Sequence, residues 1–469
     1  MPVCFRPTSR RGLVLLAALV LSVALSKTSA TLRLCTSGPA RSVAPASPAT
    51  NRKRNPSPGG SRRGSRVPLR GRPRPRGSKR PVPEEVPMFA LDPEAKARRR
   101  ELVAVSGPVT QLLIGDAIGD AFGAIIEMQD AYWIRDSVTF DRWPENPMRR
   151  TEWNTNSACG MYTDDCEMTV GLVNGLLKYG LQISTDDMLQ SWQAEWDLAK
   201  RRPRPSPPGA ERHGHGSIKG YFRGFRDIDQ VRRLQSGKED PGNAPPMRAL
   251  PLAFIENRSL REQLCLQNAN STHPHPRARA ASFLIAEGAR WLMVEHGDRQ
   301  LVISEALARL QDSGASDAAT EEHLRKIDAL EDYHEWGSRF AKMPPQRLEL
   351  LCGPQPCPPA DGIGAGDDGS SKMHGLWSDA MRTAAVVLYL LKHHRGPLDI
   401  LRASVDIGGD VDSIAALCLG VVGGSEGLDF GEPDGLPWFL LEEVEGVEYL
   451  HARAKKFEEW MKKQLAMKE

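Results

Sequence analysis

The chain has 469 residues, 62 of them Lys or Arg and 59 Asp or Glu, with 40% hydrophobic residues, which is enough for a substantial buried core. The near-neutral balance hides two opposite pieces: residues 1–83 hold 18 basic and no acidic residues, so the remainder sets 44 basic against 59 acidic ones, a net −15. A body that acidic lacks the basic face that a nucleic-acid backbone requires, and no nucleic-acid surface is expected.

In chain order, Arg10 and Arg11 precede an apolar run over residues 13–25 and small residues over 26–30. This is the pattern of a signal peptide, too short for a comfortable membrane crossing, and no span is expected in the mature protein. Residues 31–88 are rich in Ser, Arg and Pro, the composition of a disordered, transit-like segment. A signal followed by such a segment resembles the bipartite leaders of proteins sent to plastids bounded by extra membranes. Secretion, or a lumenal destination with a basic tail, is the alternative. The composition changes abruptly at Glu84, so the mature chain is expected to begin near residues 76–88.

Residues 89–469 read as one helical domain. Helical periodicity runs over residues 93–106, 109–128, 166–179, 184–200, 276–295, 301–310, 318–335, 377–393, 412–422 and 447–467. Alternating β-branched runs between hairpin turns are nearly absent, so the fold is expected to be all-α. Residues 201–212, 240–246 and 353–371 read as surface insertions rich in Pro, Gly or charge. Six cysteines fall in this body without zinc-type spacing, the pattern of buried free thiols, although Cys352 and Cys357 are near enough in sequence to pair. Cys166 has no basic neighbour in sequence to activate it as a nucleophile. His213 and His215 follow a Pro-rich stretch and read as solvent-facing.

Two acidic clusters far apart in sequence carry the chemistry: Tyr162-Thr163-Asp164-Asp165 and Gly408-Gly409-Asp410-Val411-Asp412-Ser413, each directly before an apolar helical run. Helix capping accounts for either cluster by itself, since Thr, Ser and Asp are common caps and a helix N-terminus favours carboxylates. Hard-cation binding accounts for the surplus of charge, because adjacent carboxylates repel and a cap uses one acceptor oxygen. Oxygen donors without His or Cys suit Mg²⁺ or Mn²⁺ and argue against zinc.

A third segment, residues 115–127, reads Gly-Asp-Ala-Ile-Gly-Asp-Ala-Phe-Gly-Ala-Ile-Ile-Glu and ends on Glu127. Between it and the last cluster lie Gly242-Asn243-Ala244-Pro245-Pro246-Met247-Arg248 and Thr272-His273-Pro274-His275-Pro276. Taken in this order, the segments closely resemble the ADP-ribosylglycohydrolase family over about residues 115–424. The resemblance implies a compact orthogonal multi-helix bundle, monomeric, with two Mg²⁺ ions, Mn²⁺ being possible. It implies hydrolysis of the glycosidic bond at C1 of the ribose in an ADP-ribosylated protein or a small ADP-ribosyl compound. Carried over residue by residue, it makes Thr163, Asp164, Asp165, Asp410, Asp412 and Ser413 metal ligands. Glu127, Asp165 and Asp410 become the catalytic carboxylates, and Gly242, Asn243 and His273 the substrate contacts. Two departures stand out. Ser413 stands where many members have Thr, which keeps the hydroxyl oxygen. Pro245-Pro246 stiffen a turn that is usually Gly- and Ala-rich, which leaves the substrate class open. A catalytically silent helical member, serving as a binding or structural protein, is the alternative; degenerate members should lose acidic ligands, and here all six metal positions keep an oxygen side chain.

Overall fold

The computed structural model describes residues 92–145, 159–201, 218–357 and 372–466, all within the unit Val82–Glu469. The leader, most of the 201–212 insertion, His213, His215 and residues 358–371 lie outside the described residues. The described residues form helices without a sheet, joined at four points by isolated backbone bridges.

The first helices are α1 (Pro93–Ala104), α2 (Pro108–Ala124), α3 (Ala131–Ser137), α4 (Asp164–Tyr179) and α5 (Thr185–Arg201). Short helices follow, α6 (Lys219–Phe222), α7 (Ile228–Ser236) and α8 (Ala244–Met247), then the longer α9 (Arg258–Thr272) and α10 (Pro276–Met293). The next are α11 (Val302–Gln311), α12 (Ala318–Asp328), α13 (Pro345–Cys352), α14 (Ala380–His393) and α15 (Pro397–Asp406). The chain ends on α16 (Val411–Ser425), α17 (Trp438–Glu443) and α18 (Val447–Ala466).

The all-α expectation holds, with differences at element ends. The period over 109–128 stops at Ala124, so Glu127 sits in the turn beyond α2. The period over 318–335 breaks after Asp328. The 240–246 stretch is no solvated insertion: Pro245 and Pro246 are buried at the start of α8, and Pro241 O accepts from Ala380 N at 2.9 Å. All six cysteines of the described body are free, five of them buried, so Cys352 and Cys357 are not bridged.

At the centre, α2 and α16 are buried around nearly their whole circumference and pack on each other, with α10 and α14 against α16 and with α4 and α18 against α2. A helix apolar on every face belongs in a core rather than on a surface. Glycines let the two axes approach until backbone meets backbone. A Cβ on Gly115 would stand 2.3 Å from Leu419 O, one on Gly119 2.1 Å from Ala415 O, and one on Gly123 2.4 Å from Asp412 Cα. Residue numbers rise along one helix as they fall along the other, so the pair is antiparallel. The C-terminal end of α2 therefore lies against the N-terminal end of α16. Each interior glycine costs about 1 kcal/mol of helix propensity relative to Ala, which the close packing must offset.

Gly119→Ala should therefore force the helices apart and lower stability at the upper end of the about 1–3 kcal/mol typical of overpacking. Gly237→Ala is the control: its new Cβ would have no neighbour nearer than 3.5 Å, and it should change stability by less than about 0.5 kcal/mol. Urea unfolding of both variants measures the contrast.

Candidate metal centre and active site

The N-terminus of α4 joins the seam where α2 meets α16, because Asp120 of α2 fastens it there. Both Asp120 carboxylate oxygens accept from Thr163 N at 2.9 Å, and Oδ2 also accepts from Cys166 N at 3.0 Å. A carboxylate on the free amides of a helix N-terminus is electrostatically favoured. Thr163 caps the helix in addition, accepting weakly from Asp165 N at 3.4 Å.

Five carboxylates gather at this junction in two groups that share one member. Asp120, Asp165 and Asp412 offer oxygens within 4.8 Å of one another, and so do Glu127, Asp410 and Asp412. Glu127 is half-buried and the other four are buried. Among the described residues, Asp164 falls outside both groups, although its charge is felt by Asp120 and Asp165. The Ser413 hydroxyl lies against Asp165 and Asp410.

Capping does not account for these acids. Asp410 is the N-cap of α16 and its side chain makes no capping bond. Asp165 Oδ1 and Asp412 Oδ1 are buried with no hydrogen-bond partner. An unpartnered buried carboxylate oxygen is costly, and oxygens from several acids converging on a point are what a hard cation uses. The donor set is all oxygen, which fits Mg²⁺ or Mn²⁺.

The loop before α16 is held in place by three neighbours. Gly408 and Gly409 adopt φ of +75° and +81°, where side chains are disfavoured, and a Cβ on Gly409 would meet Leu376 O at 2.0 Å. Gly409 O accepts from Met128 N at 2.8 Å, Gly409 N donates to Gln129 O at 2.9 Å, and Asp410 N donates to Leu376 O at 2.9 Å. These bonds knit the Glu127 turn to the Asp410 loop. Met128 takes φ of +58°, a strained conformation for Met, directly beside Glu127. Just upstream, Arg339 grips both Asp406 oxygens at 2.9 and 2.7 Å, anchoring the end of α15.

Asn243 joins the centre: its Nδ2 donates to Asp410 Oδ2 at 3.0 Å, and its Oδ1 accepts from Ser378 Oγ at 2.6 Å. Gly242 and His273 stand behind it, with His273 Nε2 3.2 Å from the point where a Cβ on Gly242 would stand. Sequence reasoning brought Thr163, Asp165, Asp410, Asp412, Ser413, Glu127 and Asn243 to one place. It passed over Asp120. The signal was present, because Asp116 and Asp120 lie four residues apart on one face of a helix otherwise built from apolar and small residues.

Burial and neighbouring carboxylates raise the four buried aspartates, Asp120, Asp165, Asp410 and Asp412. Burial, offset in part by the amides of Cys166 and Thr163, lifts Asp120 to about 7. Burial and then Glu127 lift Asp410 to about 6. Asp165 and Asp412 are pushed well above 3.8, by burial first and by neighbouring carboxylates next. Asp116, one turn before Asp120, is raised in the same way.

A family model described as ADP-ribosylglycohydrolase matches residues 106–466. The chain belongs to the ADP-ribosylglycohydrolase family, and so to a hydrolase class whose members act on ADP-ribosyl groups. No curated protein matches it. A solved structure titled "ADP-ribosylglycohydrolase-related protein complex" is similar at 20% identity and a TM-score of 0.46, covering 75% of this chain and 96% of that one. No helix among the described residues is long and apolar enough to cross a membrane.

The raised carboxylates give a pH-dependent test. Protons bind the folded site more tightly than the unfolded chain, so the stability they contribute is full near pH 4 and is lost as pH rises through about 6 to 7. A cation competes with those protons for the same oxygens. Added Mg²⁺ should therefore raise the melting temperature little at pH 5 and clearly at pH 8, where occupancy about a hundredfold over Kd adds about 2.7 kcal/mol. Thermal unfolding with and without Mg²⁺ at both pH values measures this, and an increment equal at both would assign the cation to some other site.

Proposed function

We propose that the protein is a Mg²⁺-dependent hydrolase that cleaves the glycosidic bond at C1 of the ribose in an ADP-ribosylated substrate and releases ADP-ribose. The observation that carries this reading is the pair of carboxylate groups sharing Asp412, set in a chain of the ADP-ribosylglycohydrolase family. Asp120, Asp165 and Asp412 would hold one cation, and Glu127, Asp410 and Asp412 a second, with Thr163 and Ser413 adding hydroxyl oxygens and Asp164 near the first. Two bound divalent cations would supply positive charge that orients the ribose diol and favours ionisation of the attacking water.

The chain's own residues supply the rest. Glu127 is the least buried of the five acids and sits in a turn, so its carboxylate is the most accessible to water and the one placed to take a proton from it on attack at C1. The transition state has oxocarbenium character, and the acids beside it stabilise developing positive charge on the ring. Asn243 donates to Asp410 and so orients that carboxylate, while Gly242 and His273 border the substrate side. We assign the protein to plastids on the strength of its bipartite leader, with secretion as the alternative.

Incubation with a panel of ADP-ribosylated proteins and O-acyl-ADP-ribose compounds, with and without chelator, tests class and cofactor together. The expected outcome is free ADP-ribose from at least one substrate, abolished by chelator and restored by Mg²⁺. Glu127→Gln should keep the fold and the cation held by Asp120, Asp165 and Asp412, while turnover falls by roughly two orders of magnitude. No ADP-ribose from any substrate would favour the silent, binding role, and AMP in its place would indicate cleavage of the pyrophosphate.

A further inference from the structure

Arg248 is fully buried, yet among the described residues it makes no ion pair. Its guanidinium lies 3.8 Å over the Trp192 ring. Nε donates to Asn268 Oδ1 at 2.7 Å, and Nη2 donates to Asn268 O at 3.0 Å and to Thr272 Oγ1 at 2.8 Å. Asn268 in turn donates to Pro245 O at 2.8 Å, so the same cluster holds the turn that follows Gly242 and Asn243. Burying a cation is expensive, and the Asp164 charge and these hydrogen bonds offset the cost here.

The direction of the next bond follows from proton counting. Thr272 Oγ1 is 2.7 Å from His273 Nδ1. Arg248 has only hydrogens to give, so Thr272 accepts from it and keeps its own hydroxyl hydrogen for another partner. The remaining partner of that buried hydroxyl is His273 Nδ1. Nδ1 is then an acceptor, and the ring proton is on Nε2. Burial first, and the Arg248 charge second, hold His273 well below its ordinary pKa, so the ring is neutral. Nε2 faces the gap at Gly242, where the place of the missing Cβ lies 3.2 Å away, within reach of a hydrogen-bond acceptor.

We propose that Arg248 and Thr272 are positioning residues that lock His273 as the Nε2–H tautomer, so that its ring offers a hydrogen-bond donor, through the gap left by Gly242, to an oxygen acceptor of the substrate. The substrate half rests on the hydrolase reading above, while the relay itself does not. Arg248 fixes the hydroxyl of Thr272, that hydroxyl fixes Nδ1, and Nε2 keeps its proton at neutral pH without the ring carrying charge. A phosphate, hydroxyl or carbonyl oxygen of the ADP-ribosyl group is the acceptor class this donor takes.

Nitrogen-15 NMR of the histidine-labelled full chain, with His273→Gln to assign the resonance, reads the tautomer directly. Wild-type protein should show Nε2 protonated and Nδ1 bare. Thr272→Val should mix the tautomers and raise KM by the inverse of the Nε2–H fraction that remains, about twofold for an even mixture, with kcat little changed; Thr272→Ser, which keeps the hydroxyl, should restore both. Gly242→Ala should raise KM by blocking the gap while leaving the tautomer as in wild type. A wild-type proton on Nδ1, or an unchanged tautomer in Thr272→Val, would overturn the relay. A mixed tautomer with wild-type KM would overturn the substrate role. The NMR arm needs no substrate, so it decides the relay even if no ADP-ribose is released, an outcome that would instead count against the hydrolase reading and the substrate half.

Discussion

The structure depends on backbone-to-backbone contact between two antiparallel helices. Gly115, Gly119 and Gly123 of α2 give up their side chains so that the carbonyls and Cα atoms of Leu419, Ala415 and Asp412 can come within van der Waals reach. Any larger residue would widen the spacing, because interaxial distance is set by the side chains at the contact. At that spacing the end of α2 delivers Asp120 and the Glu127 turn to the start of α16, where Asp410 and Asp412 stand. Asp120 then draws in α4 through the amides of Thr163 and Cys166. Packing that reads as core architecture is thus also what fixes the separation of the acids.

Such a junction works against its own stability. Acids with little solvent around them repel one another, and the four aspartates Asp120, Asp165, Asp410 and Asp412 are held above their ordinary pKa by burial before any neighbour is counted. A core selected for stability alone would replace them with apolar groups. Their retention beside a strained Met128, a pair of left-handed glycines and unpartnered oxygens on Asp165 and Asp412 is the departure from local rules that functional sites show. Divalent cations would remove the conflict by supplying the missing charge. The neutral His273 beside the anionic centre follows the opposite logic: burial and Arg248 keep charge off a ring that serves as a donor.

Much of this was legible in the sequence. The helical class followed from the period of apolar residues in stretches such as 377–393 and 447–467, and from the scarcity of strand patterns. The acid clusters were legible because carboxylates pile up beyond what capping uses, and their order along the chain carried the family resemblance. Less legible were α9, which is rich in Gln, Asn, Arg and Ser and has a weak apolar stripe, and α15, whose apolar stripe is clear but runs for only ten residues and opens on a proline. Asp120 was passed over because Asp116 and Asp120, though one turn apart on one face of an otherwise apolar helix, declare what they face only once the partner helix is placed. The Arg248 relay was invisible, since Arg248, Asn268 and Thr272 are polar residues scattered over 25 positions and meet only through the packing of α9 on the turn before it. Residues 240–246 misled through composition: prolines that usually mark solvated loops here begin a buried turn of helix.

Under the proposed reading, Asp412 is the carboxylate shared between two cation positions at the α2–α16 seam. Calorimetric titration of metal-free protein with Mn²⁺ addresses it directly, with Asp412→Asn as the comparison. The account predicts about two ions per wild-type chain, and loss of both from the variant's measurable range, with its fold intact because Asn preserves the side chain's shape. A wild-type chain that takes no ion, or an Asp412→Asn chain that still takes two with unchanged affinity, would contradict it.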